Sequence, residues 1–251
     1  MGKNAAVVNV FATPYEFWTR RKTTSEEALD LHKNHGMSII DALEVKDKLI
    51  EVVSTHTEAA TRMLRVRADN GLEFHIDAAL NTSAEYRDLR DLMPPNVPEA
   101  LGSYQSEFSE DGLASADEAI KAHGVEVAEG QLLFHGGHWA GDSPTLTTSR
   151  PFSTSFCPQV ALRNAEWRGK AFDAGRVDLM VVRVTQPETK AYVYSQEGDH
   201  GNEKEVVFAS GARLTRVRET YITDIPVSKM TSGLQQEDKF VPAYLVEVEI
   251  S

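Results

Sequence analysis

The chain has 251 residues, 41% hydrophobic and 25% charged, the balance of an ordinary globular protein with room for one large domain or two small ones. Its net charge of −12 repels phosphate backbones, so a broad nucleic-acid-binding role is disfavoured and only a local basic groove stays open. No apolar run reaches the roughly 18–20 residues of a bilayer crossing, so no membrane partner is expected, and with Cys157 as the only cysteine no internal disulfide can form.

Residues 1–11 make a poor signal peptide, because the apolar stretch is short, is broken by Asn9 and precedes no clear cleavage site. Met1-Gly2 fails as a myristoylation signal, since Ala6 stands where Ser or Thr is needed. A single cysteine suits folding in a reducing compartment, so the expected location is cytoplasmic, either at home or after delivery into a target cell.

The first half reads as mainly helical. Thr23-Thr24-Ser25-Glu26-Glu27 holds two overlapping capping boxes, Thr23 to Glu26 and Thr24 to Glu27. Ser38 precedes Ile39, Ile40, Leu43, Ile50 and Val53 near helical spacing, which predicts one long helix over 38–67, stopped at Asn70-Gly71. A shorter helix follows over 86–93, ended by Pro94-Pro95. The Pro-, Gly- and Ser-containing segment 94–112 reads as a linker, and 115–122 as a short helix. We therefore expect a helical accessory domain over 1–112 and a second domain over 113–251. The expected class is α+β, because the second half predicts many short strands (131–134, 177–185, 191–194, 206–209, 214–217, 243–250) and one convincing helix, 158–168.

Three short segments of the second half carry chemistry. In Glu203-Lys204-Glu205, strand alternation would turn both carboxylates to one face and Lys204 to the other. Ser153-Thr154-Ser155 offers hydroxyls that donate and accept at short range. Phe134-His135-Gly136-Gly137 offers an imidazole beside a residue that permits close backbone approach. His135 and His138 lack the glutamate and helix of a metalloprotease motif, so no metal is expected. Cys157 reads as a packed side chain, and His32 and His35 as surface residues. Trp167, Phe172 and Phe156 are candidate aromatic walls, with core packing the better expectation for each.

In this order the three segments resemble the mono-ADP-ribosyltransferase family, over roughly 125–251. The resemblance implies two packed antiparallel sheets with a cleft for NAD as co-substrate, and glycosyl transfer of ADP-ribose to a target, in a toxin or effector. It assigns Glu205 to the ribose of NAD, where positive charge develops as nicotinamide leaves, and Glu203 to the acceptor as general base. Ser153, Thr154 and Ser155 would brace Glu205 and shape the nicotinamide pocket, and His135 with Gly136 would hold a ribose. The first segment is a hybrid: serine-threonine-serine toxins normally carry Arg at the position of His135, while the His-Gly branch usually lacks Ser-Thr-Ser. The E-x-E pattern implies a protein arginine acceptor. Bare NAD hydrolysis, modification of a nucleic-acid base and a degenerate, non-catalytic binding module stay open. An immunity, antitoxin or chaperone partner for the N-terminal half is also open.

Overall fold

The computed structural model describes residues 6–106, 109–198, 200–230, 233 and 235–251. The readings placed on residues 1–5, and the part of the 94–112 segment at 107–108, lie outside them.

The chain groups into two compact units, one of Phe11–Thr55, the other of His56–Ser251 with the described residues before Phe11. The expected seam at residue 112 is not where they part. The small unit contains β1 (Tyr15–Lys22), α1 (Ser25–His35), α2 (Ile39–Ala42) and β2 (Glu44–Val53). Of the two capping boxes the second is used: Thr24 caps α1 by accepting the Glu27 N–H, and left-handed Gly36 closes it. His32 and His35 lie exposed in its last turn.

The long helix expected over 38–67 does not form. Ser38 caps only the four residues of α2. The run from Val45 to Val53 then extends and pairs antiparallel with β1, from Lys22 opposite Glu44 to Tyr15 opposite Val53. Ile50, Val52 and Val53 are β-branched, and a partner strand settles what a spacing near 3.6 left ambiguous.

The large unit begins with helices α3 (His56–Val66), α4 (Asn70–Thr82), α5 (Ala84–Arg90), α6 (Glu99–Ser106) and α7 (Leu113–His123). Asn70-Gly71 starts a helix rather than ending one. Arg67 breaks α3 at φ 68, and Asp69 caps α4 by accepting the Leu72 N–H at 3.1 Å. β3 (Val125–Glu126), β4 (Leu132–Gly137), β5 (Thr145–Thr147), β6 (Phe152–Ser155), α8 (Pro158–Glu166), α9 (Lys170–Ala174), β7 (Val177–Val184), β8 (Lys190–Val193), β9 (Glu205–Phe208), β10 (Arg213–Met230) and β11 (Gln236–Ile250) follow. Trp167–Gly169 and Gly201–Glu203 are single 3-10 turns.

The nine strands of this unit form one mixed hydrogen-bonded array, ordered β3-β8-β9-β6-β4-β7-β11-β10-β5, in place of two antiparallel sheets. β7 and β11 run parallel. The β9–β6 side joins the β4–β7 side through one residue pair, Phe134 with Ser155. Leu133, Phe134, Leu179, Val182, Val206, Val246 and Val248 are buried in it. Helix α8 packs so closely on β4 that a Cβ at Gly136 would stand 1.7 Å from the Ala161 carbonyl oxygen. Among the described residues no helix is long and apolar enough to cross a membrane.

Candidate active site

β6 lies between β4 and β9, so the three motif segments, far apart in sequence, become neighbouring strands. Along β6 the side chains take three different partners. Ser153 Oγ donates to Glu205 Oε1 at 2.5 Å. Thr154 Oγ1, buried, donates to the Val206 carbonyl at 2.7 Å. Ser155 Oγ donates to the Glu203 carbonyl at 2.6 Å and accepts the Cys157 N–H at 3.0 Å. Ser153 thus holds one acid by its side chain, Ser155 holds the other by its backbone, and Thr154 closes the strand pair beneath them.

The two acids do not reach the site by strand alternation. Glu203 ends a 3-10 turn, Lys204 is left-handed at φ 50 and ψ 41, and β9 starts only at Glu205. Lys204 is turned away from the acids, but by that kink. Gly201 makes the approach to the turn feasible, since a Cβ there would lie 1.9 Å from the Gln196 carbonyl oxygen.

Glu205 is 8% exposed, so it does not stand in an open cleft. Burial raises its carboxyl to about 7 and the charge of Glu203 adds to the rise, while hydrogen bonds from Ser153 and Gln105 oppose it. Glu203 is raised too, by burial, against the pull of His200 and Gln105. The Gln105 carboxamide donates to Glu205 Oε2 over a long 3.4 Å. Tyr104 lies beside it, its hydroxyl pushed up to about 12 by burial and by the charge of Glu205. Both residues belong to α6, inside the segment read as a linker. The available signal was Pro98-Glu99, a proline and an acid at a helix start, outweighed by the prolines and glycines around it.

His135 is fixed in orientation. Its Nδ1 stands 2.6 Å from the Ser153 carbonyl oxygen, and its ring lies 4.3 Å from that of Phe152. A carbonyl only accepts, so Nδ1 carries the proton and Nε2 presents a lone pair. Burial, helped by the charges of Lys170 and Arg150, lowers the imidazole to about 4 and keeps it neutral. Among the described residues Nε2 has no hydrogen-bond partner. Gly136 permits the close packing of α8 on β4.

Three cations gather on this side. Lys170 is lowered by burial and by Arg150 and Arg168, and among the described residues none of the three forms an ion pair. Exposed Trp167 lies under the Arg168 guanidinium at 5.7 Å. Of the other aromatic candidates, Phe156 is core, edge-on to Tyr86, and Phe172 lies under Lys239. The aromatic against the motif is Phe152. Cys157 is buried, and burial raises its thiol to about 11, far from a thiolate at neutral pH.

No protein-family model and no curated protein matches the chain. Solved structures similar to it are bacterial ADP-ribosyltransferase toxins. The Vis toxin, an ADP-ribosyltransferase from Vibrio splendidus, is 14% identical at a TM-score of 0.32, with 92% of this chain and 88% of that one covered. C3larvin toxin, an ADP-ribosyltransferase from Paenibacillus larvae, is 11% identical at a TM-score of 0.36, with 66% and 92% covered. The enzymatic component C2-I of the C2-toxin from Clostridium botulinum is 7% identical at a TM-score of 0.33. The match takes in 66% of this chain and spans 40% of the C2-I chain.

Proposed function

We propose that this chain is a mono-ADP-ribosyltransferase that cleaves the nicotinamide–ribose bond of NAD and transfers ADP-ribose to a protein arginine. The observation that carries the reading is the linked series His135, Ser153, Glu205. The Ser153 carbonyl orients the imidazole and the Ser153 hydroxyl holds the carboxylate. One residue of β6 thereby orients an acceptor, His135 Nε2, and holds an anion, Glu205.

The chemistry follows from these groups. Breaking the glycosidic bond builds positive charge on the ribose, and the ionised Glu205 carboxylate in a low-dielectric setting stabilises that charge more than water would. A ribose hydroxyl can donate to His135 Nε2. Arg150, Arg168 and Lys170 supply the positive charge that a diphosphate requires. Glu203, less enclosed than Glu205, would accept a proton from an incoming guanidinium. Gln105 now donates an N–H to Glu205, and an arginine side chain offers donors of the same kind.

The test is incubation of purified chain with NAD, first alone and then with an arginine-bearing protein. Nicotinamide release and mass-spectrometric transfer of ADP-ribose to arginine are expected. NAD left intact under both conditions would sink the reading and favour a non-catalytic module.

A further inference from the structure

The residue between the two acids is buried. The Lys204 side chain is 1% exposed, although its neighbours in sequence are both carboxylates. Its Nζ lies 2.9 Å from Asp77 Oδ1 and 3.5 Å from Glu73 Oε1, and donates to the Asn202 carbonyl at 3.0 Å. All three ammonium protons are thereby directed.

Glu73 and Asp77 stand four residues apart on α4, so they share one helix face. Each is held in turn. Glu73 Oε2 accepts from Gln159 Nε2 at 2.5 Å and lies 3.5 Å from Arg163. Asp77 accepts from Gln196 Nε2 at 3.3 Å. Gln159 Oε1 accepts the N–H of Asp69, which caps α4 and pairs with Arg62 at 2.7 Å. The acidic face of α4 is thus tied to α3, to α8 and to the loop before the catalytic turn.

The backbone of Lys204 sharpens the point. Its left-handed conformation is one that glycine adopts freely and lysine only at a steric cost. Burying a lysine costs more again unless its hydrogen bonds are filled. A lysine kept at such a position is there for its ammonium.

We propose that Lys204 is a positioning residue: clamped by Asp77 and Glu73, it locks the left-handed turn that sets Glu203 and Glu205 apart, so that α4 governs their relative placement. The inference rests on the roles proposed above for those acids.

The experiment uses the full chain, NAD and the guanidine agmatine, and reads nicotinamide release and ADP-ribosyl-agmatine separately. Wild-type chain that leaves NAD intact would defeat the functional reading itself and leave nothing for Lys204 to position. With active wild type, Asp77→Asn is expected to lower the kcat for transfer by about tenfold and Lys204→Met by about 10²-fold, the scale of a misplaced reacting group, with KM for NAD within about threefold. The double variant should be no worse than Lys204→Met, because both changes act through one contact. A triple variant, Glu73→Gln, Asp77→Asn and Lys204→Met, leaves no buried charge uncompensated, so its thermal midpoint should recover while kcat does not. Wild-type kcat in a folded Asp77→Asn or triple variant, or losses that simply add in the double, would overturn the inference.

Discussion

Ser153 Oγ donates to Glu205 Oε1 at 2.5 Å, reaching diagonally across the pairing of β6 with β9. The bond favours the ionised acid and opposes the burial that raises it to about 7. Ser153→Ala removes the donor, so the carboxyl should titrate higher still. We expect the pH–rate curve for nicotinamide release to move to higher pH, with activity at neutral pH down about tenfold or more. An unmoved curve would show that this bond plays no part in turnover.

Glu205→Gln removes the charge and keeps the shape. Nicotinamide release should fall by about 10²–10³. Stability should change in the other direction. A carboxyl raised on folding favours the protonated folded state, so its stabilising contribution is complete below about pH 4.5 and is lost as pH climbs through about 7. The variant lacks that loss. Its stability relative to wild type should grow by up to roughly 3 kcal/mol between pH 4.5 and 8, at about 1.4 kcal/mol per pKa unit. Denaturant melts at both ends of that range would show it, and parallel pH dependence in the two proteins would contradict the burial described.

Glu203→Gln should divide the two half-reactions. If Glu203 takes the acceptor's proton, transfer to arginine falls while NAD hydrolysis persists. Equal loss of both would place Glu203 with NAD rather than with the acceptor.

His135→Ala removes one neutral hydrogen bond, worth about 0.5–1.5 kcal/mol, so NAD affinity should drop roughly 2–10-fold in calorimetric titration. His135→Arg should do worse. The imidazole packs against Phe152, and Nε2 lies only 3.1 Å from where a Cβ on Gly137 would stand, so the ring fills its space. Arg also presents only donors where Nε2 presents an acceptor. Binding by the Arg variant as tight as wild type would mean that a ribose does not use this nitrogen.

Gly136→Ala tests the packing of α8. The added methyl meets the Ala161 carbonyl, backbone against backbone, and cannot be relieved by a rotamer change. Loss of at least about 1–3 kcal/mol, or failure to fold, is expected. An unchanged thermal midpoint would show that α8 can move away from β4.

Much of the second half was legible in sequence because β7, β8 and β9 are short apolar runs between turn residues, whereas the runs read at 214–217 and 243–250 are only parts of the 18-residue β10 and the 15-residue β11. The runs at 177–185, 191–194 and 206–209 match β7, β8 and β9 to within a residue or so. The first half was legible only in part: the helices read over 86–93 and 115–122 are there as α5 and α7, but the long one over 38–67 is not. Val45 to Val53 became a strand because Tyr15 to Lys22 pairs with it, a long-range choice that local spacing does not contain. The motif residues were visible as types and order, but not the kink at Lys204, whose ammonium meets Glu73 and Asp77 far upstream. Gln105 and Tyr104 were hidden for the same reason: they matter through where α6 lies, and nothing local to Pro94, Pro95 and Pro98 announces that.

The α6 contacts bear on how this chain could be divided. Gln105 reaches Glu205 across a sequence separation of 100 residues. The buried Tyr194 hydroxyl donates to the Leu101 carbonyl at 2.9 Å, and Tyr86 donates back to the Tyr194 carbonyl at 3.2 Å. A truncated protein beginning at residue 113 would keep every motif yet remove Leu101 and Tyr86 from Tyr194, Glu73 and Asp77 from Lys204, and Gln105 from Glu205. The motif-bearing half thus draws on α4, α5 and α6 for contacts at its site, and an excised version would leave Glu205 without the Gln105 donor, which acts to lower its proton affinity.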